Sequence, residues 1–263
     1  MLVFLGPGFA CGWQTRPWNG ARPQASWRFE SAANDEQGWA GSLDALRDLL
    51  DAAGGHARVT IIVSNQFVRY LVLPWETALT RASEQRAFAQ HLFGETYADS
   101  ASERDIRVAP EPPGCPRLAS AVECSLIEEV KERIVAAGAR IVSLQPYLMY
   151  AFNSVRHRDN LNDCWFAVLE PRRACLGLVT GGVWRTILNS RISGNEADEF
   201  ARVLQLEQVR AAAQGLGSPA LVGFRAKQTD YPLASLEGVS LRWVTEDGLA
   251  AAFRTSRYHD SLA

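Results

Sequence analysis

The sequence predicts an α/β protein built from two copies of one unit, three short strands followed by a helix and a further strand. Three observations predict it. Strand-like and helix-like segments alternate along the chain, which places helices against sheets. Val59–Val63 and Ala220–Phe224 are short continuous apolar runs, as expected of strands covered on both faces. The order strand–strand–strand–helix–strand that starts at Met1 starts again at Cys164, an internal repeat of architecture without evident sequence identity.

The first unit opens with strands at Met1–Leu5, about Ala10–Thr15 and about Ser26–Glu30, separated by Gly/Pro/Asn turns. A helix capped by Ser42 follows, with Leu43, Leu46, Leu49 and Leu50 on one face and Gly54-Gly55 ending it. Val59–Val63 completes the unit. A second stretch then reads as a strand over Phe67–Leu73, a helix from Ser83 to about Thr96, and strands at Asp105–Ala109 and Leu118–Val122 around a proline-rich loop. Ser125 and Glu128 form a capping box for a helix that buries Leu126, Ile127, Val130 and Ile134 and closes at Gly138. Arg140–Leu144 is the next strand and about Tyr147–Val155 an apolar helix. The polar segment 157–163 is the best linker candidate.

The unit then recurs. Cys164–Leu169, Ala174–Thr180 and Val183–Ile192 are strands, with a hairpin signal at Gly181-Gly182. Asn195 with Asp198 starts a long helix to about Gln214, and Ala220–Phe224 and Val239–Val244 are the closing strands.

Composition narrows the function. The 263 residues are 47% hydrophobic and 21% charged, so the chain is globular. A net charge of -2 argues against a surface built for nucleic-acid phosphates. No stretch approaches the roughly 18 apolar residues of a membrane helix, and the apolar start is broken at Gly6-Pro7-Gly8. The expectation is a cytoplasmic protein with no direct membrane insertion. Five cysteines without a Cys-x-x-Cys pair and four scattered histidines predict reduced thiols and no metal site. Neither a Gly-x-Ser-x-Gly elbow nor a Walker loop is present.

The stretch Arg58–Gly194 carries a family resemblance. Val59-Thr60-Ile61-Ile62-Val63-Ser64-Asn65-Gln66-Phe67-Val68-Arg69-Tyr70-Leu71-Val72-Leu73-Pro74-Trp75 places a strand, a turn, an Arg-bearing strand and Leu-Pro in succession. Ala136-Ala137-Gly138-Ala139-Arg140-Ile141-Val142-Ser143-Leu144-Gln145-Pro146 follows in the expected order. With the duplicated unit, this resembles the PilM/GspL branch of the actin-like, ribonuclease-H-like superfamily that includes FtsA and the sugar kinases. The resemblance implies a duplicated actin-like fold: a first lobe over 1–157 with a small inserted α+β subdomain over about 66–122, and a shortened second lobe over 158–263. It also implies a cytoplasmic scaffold, peripheral at the inner membrane through a partner. That partner would be a membrane-anchored protein of a type IV pilus or type II secretion machine, whose cytoplasmic segment the chain docks. Arg69, Tyr70 and Trp75 are the expected partner contacts. The eight tryptophans, among them Trp13, Trp18, Trp27 and Trp39, are otherwise read as edge packing of a small lobe.

The superfamily holds Mg·ATP with two turns of Asp-x-Gly type, in which a carboxylate orients metal-bound water and glycine opens backbone N–H groups to phosphate. Here the first turn, Gly6-Pro7-Gly8, has no acid. The second, Glu170-Pro171-Arg172-Arg173, keeps one carboxylate and puts arginine where glycine belongs. Pro171 also deletes a backbone donor. The late adenosine-contacting turn is reduced to Val222-Gly223-Phe224. Gly8, Glu170, Arg172 and Gly223 therefore mark a vestigial nucleotide site, and no cofactor is expected. The alternative, an ATPase or small-molecule kinase with unusual phosphate loops, stays open at the level of the sequence.

Overall fold

In the computed structural model, residues 1–14, 25–31, 38–54, 58–79, 81–97, 103–156, 160–193, 195–217, 219–224 and 241–244 are described. Trp18, Gly55, the first part of the linker candidate and the start of the last strand expected from the sequence lie outside them.

The first repeat closes into one mixed sheet. β1 (Leu2–Gly6), β2 (Phe9–Gln14) and β3 (Ala25–Glu30) form an antiparallel meander. β4 (Arg58–Val63) and β8 (Arg140–Pro146) add in parallel beyond β1, giving the order β3-β2-β1-β4-β8. Parallel neighbours need crossovers, and α1 (Ala40–Ala53) supplies the one from β3 to β4. Its Leu43, Leu46, Leu49 and Leu50 are buried, and it ends on Gly54 at φ 80°. Gly12 lets α1 lie close on β2, because a Cβ there would sit 2.9 Å from Leu49 Cδ2. Ser42 is not the cap expected from the sequence. The helix starts two residues earlier, and the buried Ser42 hydroxyl accepts the Gly8 N–H at 3.1 Å.

The second repeat has the same topology. β9 (Cys164–Glu170), β10 (Arg173–Thr180) and β11 (Val183–Arg191) form the meander, and β12 (Leu221–Phe224) and β13 (Leu241–Val244) add in parallel. The order β11-β10-β9-β12-β13 repeats the first sheet position by position. α5 (Glu196–Ala213) makes the crossover, and Asn195 caps it by accepting from the Ala197 N–H at 3.2 Å.

Between β4 and β8 the chain leaves the first sheet. A 3₁₀ turn (Asn65–Phe67) leads into β5 (Val68–Leu73), α2 (Ala82–Tyr97), β6 (Arg104–Val108) and β7 (Arg117–Glu123). The three strands form a separate antiparallel sheet, β5-β7-β6. Alternation along β5 divides its residues between two cores. Leu71 and Leu73 pack with Ala89 and Phe93 of α2, whereas Val68 and Tyr70 join the main core. α3 (Cys124–Ala136) then returns the chain to β8. Glu123 occupies its N-cap position without a side-chain bond, so the Ser125–Glu128 capping box does not form.

α4 (Tyr147–Val155) is the joint between the lobes. Phe152 meets Phe166 at 5.2 Å and Trp184 at 4.8 Å, both in the second sheet. Tyr147 packs edge-on against Phe4 of the first sheet and Phe224 of the second, at 5.1 and 6.0 Å. One apolar core therefore runs through both lobes, while a second lies between the far face of the second sheet and α5.

Candidate functional site

The junction of the two lobes lies at the ends of β4, next to the central β1 of the first sheet, and of β9, the central strand of the second. β9 is buried along its whole length and ends on Glu170, whose side chain the strand carries toward the first lobe. There the carboxylate accepts the Ser64 hydroxyl through one oxygen and the Asn65 N–H at 2.9 Å through the other. Ser64 and Asn65 are fully buried where β4 passes into the 3₁₀ turn. Ser64 caps that turn, its Oγ accepting the Gln66 N–H at 3.1 Å. Burial pushes the Glu170 carboxyl up to about 6, while the bonds from Ser64 and Asn65 and the charge of Arg173 act the other way.

A polar network extends from this pair. Asn65 Oδ1 accepts the Tyr70 hydroxyl at 2.7 Å and the Leu148 N–H at 3.1 Å. Asn189 of β11 reaches across from the second lobe, its Nδ2 donating to the carbonyls of Asn65 and Val68 at 2.7 and 2.9 Å. Arg173 Nη1 donates to Asn189 Oδ1 at 3.2 Å. Burial also raises the Cys175 thiol well above its ordinary range, so it stays protonated beside Glu170.

The four residues expected to mark a vestigial nucleotide site are bonded to protein partners. The Gly8 N–H goes to Ser42, and its carbonyl accepts the Ser31 N–H at 2.8 Å. Glu170 faces Ser64 and Asn65. Arg172 sits at φ 59°, the left-handed conformation that glycine takes at lowest cost, and its N–H donates to Glu196 Oε1 at 2.8 Å. Gly223 lies within β12, paired with Ala167 and residue 243, and not in a turn. The Gly8 and Arg172 N–H groups and the Glu170 carboxylate are thus each bonded within the chain.

The three expected partner contacts divide. Tyr70 is 2% exposed and its hydroxyl donates to Asn65 Oδ1, so it faces the core. Arg69, on the other face of β5, is half-buried with its guanidinium 5.2 Å from the Tyr97 ring centroid. Trp75, just beyond β5, is half-buried under the Arg117 guanidinium at 4.8 Å. It lines a shallow pocket with Leu73, Pro74, Leu79, Phe88 and Val108. Sequence reasoning missed Ser64, Asn65 and Asn189 as site residues. A signal existed for the first two, because a Ser-Asn pair at the carboxyl end of a buried parallel strand marks the position where α/β sheets place polar sites.

The paired five-stranded sheets of matching topology define a two-lobed actin-like fold, as the resemblance implied. No protein-family model matches the chain, and no curated protein matches it. Among solved structures, it is similar to the cytoplasmic domain of EpsL, an inner-membrane component of the type II secretion system of Vibrio cholerae. That match has 10% identity, 98% of this chain and 95% of the other covered, and a TM-score of 0.63. A chain of the PilM–PilN type IV pilus biogenesis complex matches at 16% identity and TM-score 0.63, over 92% of this chain and 87% of that one. A Bacteroides thetaiotaomicron protein with an actin-like ATPase fold matches at 10% identity and TM-score 0.60, over 97% and 95%. Among the described residues, no helix is long and apolar enough to cross a membrane.

Proposed function

We propose that the chain is a non-catalytic scaffold that docks the cytoplasmic segment of an inner-membrane protein in a type IV pilus or type II secretion machine. The observation that carries the non-catalytic part is the Glu170 carboxylate. It is the one acid of the two phosphate turns, and it is buried on Ser64 and Asn65. An acid that orients metal-bound water must be reachable by that water, and Glu170 is 5% exposed. Likeness to the EpsL cytoplasmic domain and to the PilM–PilN complex supports the choice of machine and of a cytoplasmic site at the inner membrane.

Arg69 and Trp75 are the partner contacts in this reading, and Tyr70 supports them from below. The half-buried Trp75 ring offers a rigid amphipathic anchor of the kind that dominates interface energetics. The test is co-purification with a bitopic inner-membrane protein encoded by a neighbouring secretion or pilus gene. Trp75→Ala is expected to lose that partner, by about 2 kcal/mol or more of binding, with an unchanged unfolding midpoint. Retention of the partner by the folded variant would show that the interface lies elsewhere.

A further inference from the structure

We infer that Glu170, Ser64 and Asn65 form a ligand-independent clasp that holds the two lobes in one closed arrangement and ties the inserted subdomain to it. A phosphate-turn acid that served a bound nucleotide would leave its carboxylate open to that ligand. In this chain both oxygens are taken by the other lobe, one by the Ser64 hydroxyl and one by the Asn65 N–H. Asn65 lies in a 3₁₀ turn and not in a strand ladder, and Glu170 is the acceptor its N–H finds. Parting the lobes would break both bonds at once, exchanging two charge-assisted hydrogen bonds of a buried carboxylate for contacts with water.

The clasp has a second point of attachment. Asn189, 124 residues from Asn65 in the chain, binds the Asn65 and Val68 carbonyls from β11 and is itself steadied by Arg173. The same three-residue turn thus engages β9 and β11 of the second lobe. Through Asn65 Oδ1 it also engages α4 at Leu148 and β5 at Tyr70. The groups facing Glu170 are Ser64 and Asn65 from the turn, Tyr70 from β5, and Arg173 and Cys175 from β10. Arg173 is the cation among them. Because β5 leads from this turn to Trp75, the clasp also fixes where the subdomain stands relative to the second lobe.

The inference does not depend on the docking reading, and its test uses no partner. Amide hydrogen exchange of the full chain is measured at Asn65 and Leu148, with and without Mg·ATP. In the wild type both amides are expected to be protected and unchanged by Mg·ATP. Glu170→Ala is expected to speed exchange at Asn65 by about tenfold or more, with Leu148 following. Glu170→Gln, whose amide oxygen can still accept from Asn65, is expected to keep most of the protection. Because a buried truncation can unfold the chain, Glu170→Asp is the second variant. Its carboxylate is one methylene short of the turn, and it is expected to fall between wild type and alanine. Wild-type exchange rates at Asn65 in folded Glu170→Ala or Glu170→Asp, or a change in those rates with Mg·ATP in the wild type, would overturn the clasp. Loss of the partner in Trp75→Ala would still stand in that case.

Discussion

Tyr147→Ala is expected to lower the stability of the chain by about 3–5 kcal/mol, the range for removing a buried aromatic ring. The ring is 1% exposed, and its neighbours belong to different sheets: Phe4 at 5.1 Å and Phe224 at 6.0 Å, both edge-on. Truncation therefore opens a cavity at the joint itself, where neither lobe can relax to fill it without leaving the other. Phe152, one turn further along α4, still contacts Phe166 and Trp184, so the lobes stay associated but less firmly. Equilibrium unfolding in urea is the check. A loss below about 1 kcal/mol would mean that the joint does not rest on this ring.

The second large effect is on the pH dependence of stability. Glu170 titrates at about 6 in the fold against an ordinary 4.5, chiefly because it is buried. The folded state therefore binds the proton more tightly than the unfolded chain does between those two values. Stability then falls as pH rises from 4.5 to 6 and is level above, and the group contributes about 2 kcal/mol to that fall. Glu170→Gln removes the charge and is expected to abolish this component, so that the difference between variant and wild type grows from pH 4.5 to 6. Ser64→Ala acts in the opposite sense. It deprives the buried carboxylate of a donor and is expected to cost about 1.5–3 kcal/mol above pH 6, and less at pH 4.5. Denaturation of the three proteins at pH 4.5, 6 and 8 measures both effects. Parallel pH profiles for wild type and Glu170→Gln would show that the carboxyl does not titrate in this range.

Much of the fold was legible because its signals are local and periodic. The β-branched run Val59–Val63 marks β4, Leu43, Leu46 and Leu50 mark the face of α1, and Gly54 marks its end. The repeat became visible once those elements were in order. The helix starts were less legible. Ser42 has the residue type of a cap, but its hydroxyl is taken by Gly8, a partner 34 residues away that no local rule supplies.

At the site, the sequence drew attention to Glu170 and not to the Ser64, Asn65 and Asn189 that surround it. Glu170 was identifiable from its place at the end of β9, yet Ser64 stands 106 residues before it. Nothing local tells whether such a carboxylate faces a metal or a neighbouring lobe. Tyr70 is a different case, because adjacent strand residues point to opposite faces. Arg69 and Tyr70 could not both meet one partner, and that alternation was available without a structure.

The measurement that bears most directly on a clasped, non-catalytic junction is calorimetric titration of the chain with Mg·ATP, paired with a phosphate-release assay. No saturable heat at micromolar nucleotide and no turnover above the buffer rate are expected, in the wild type and in Glu170→Gln alike. Micromolar binding with turnover that Glu170→Ala abolishes would contradict this expectation. That result would assign the Glu170 carboxylate to catalysis and make the chain an ATPase with unusual phosphate turns.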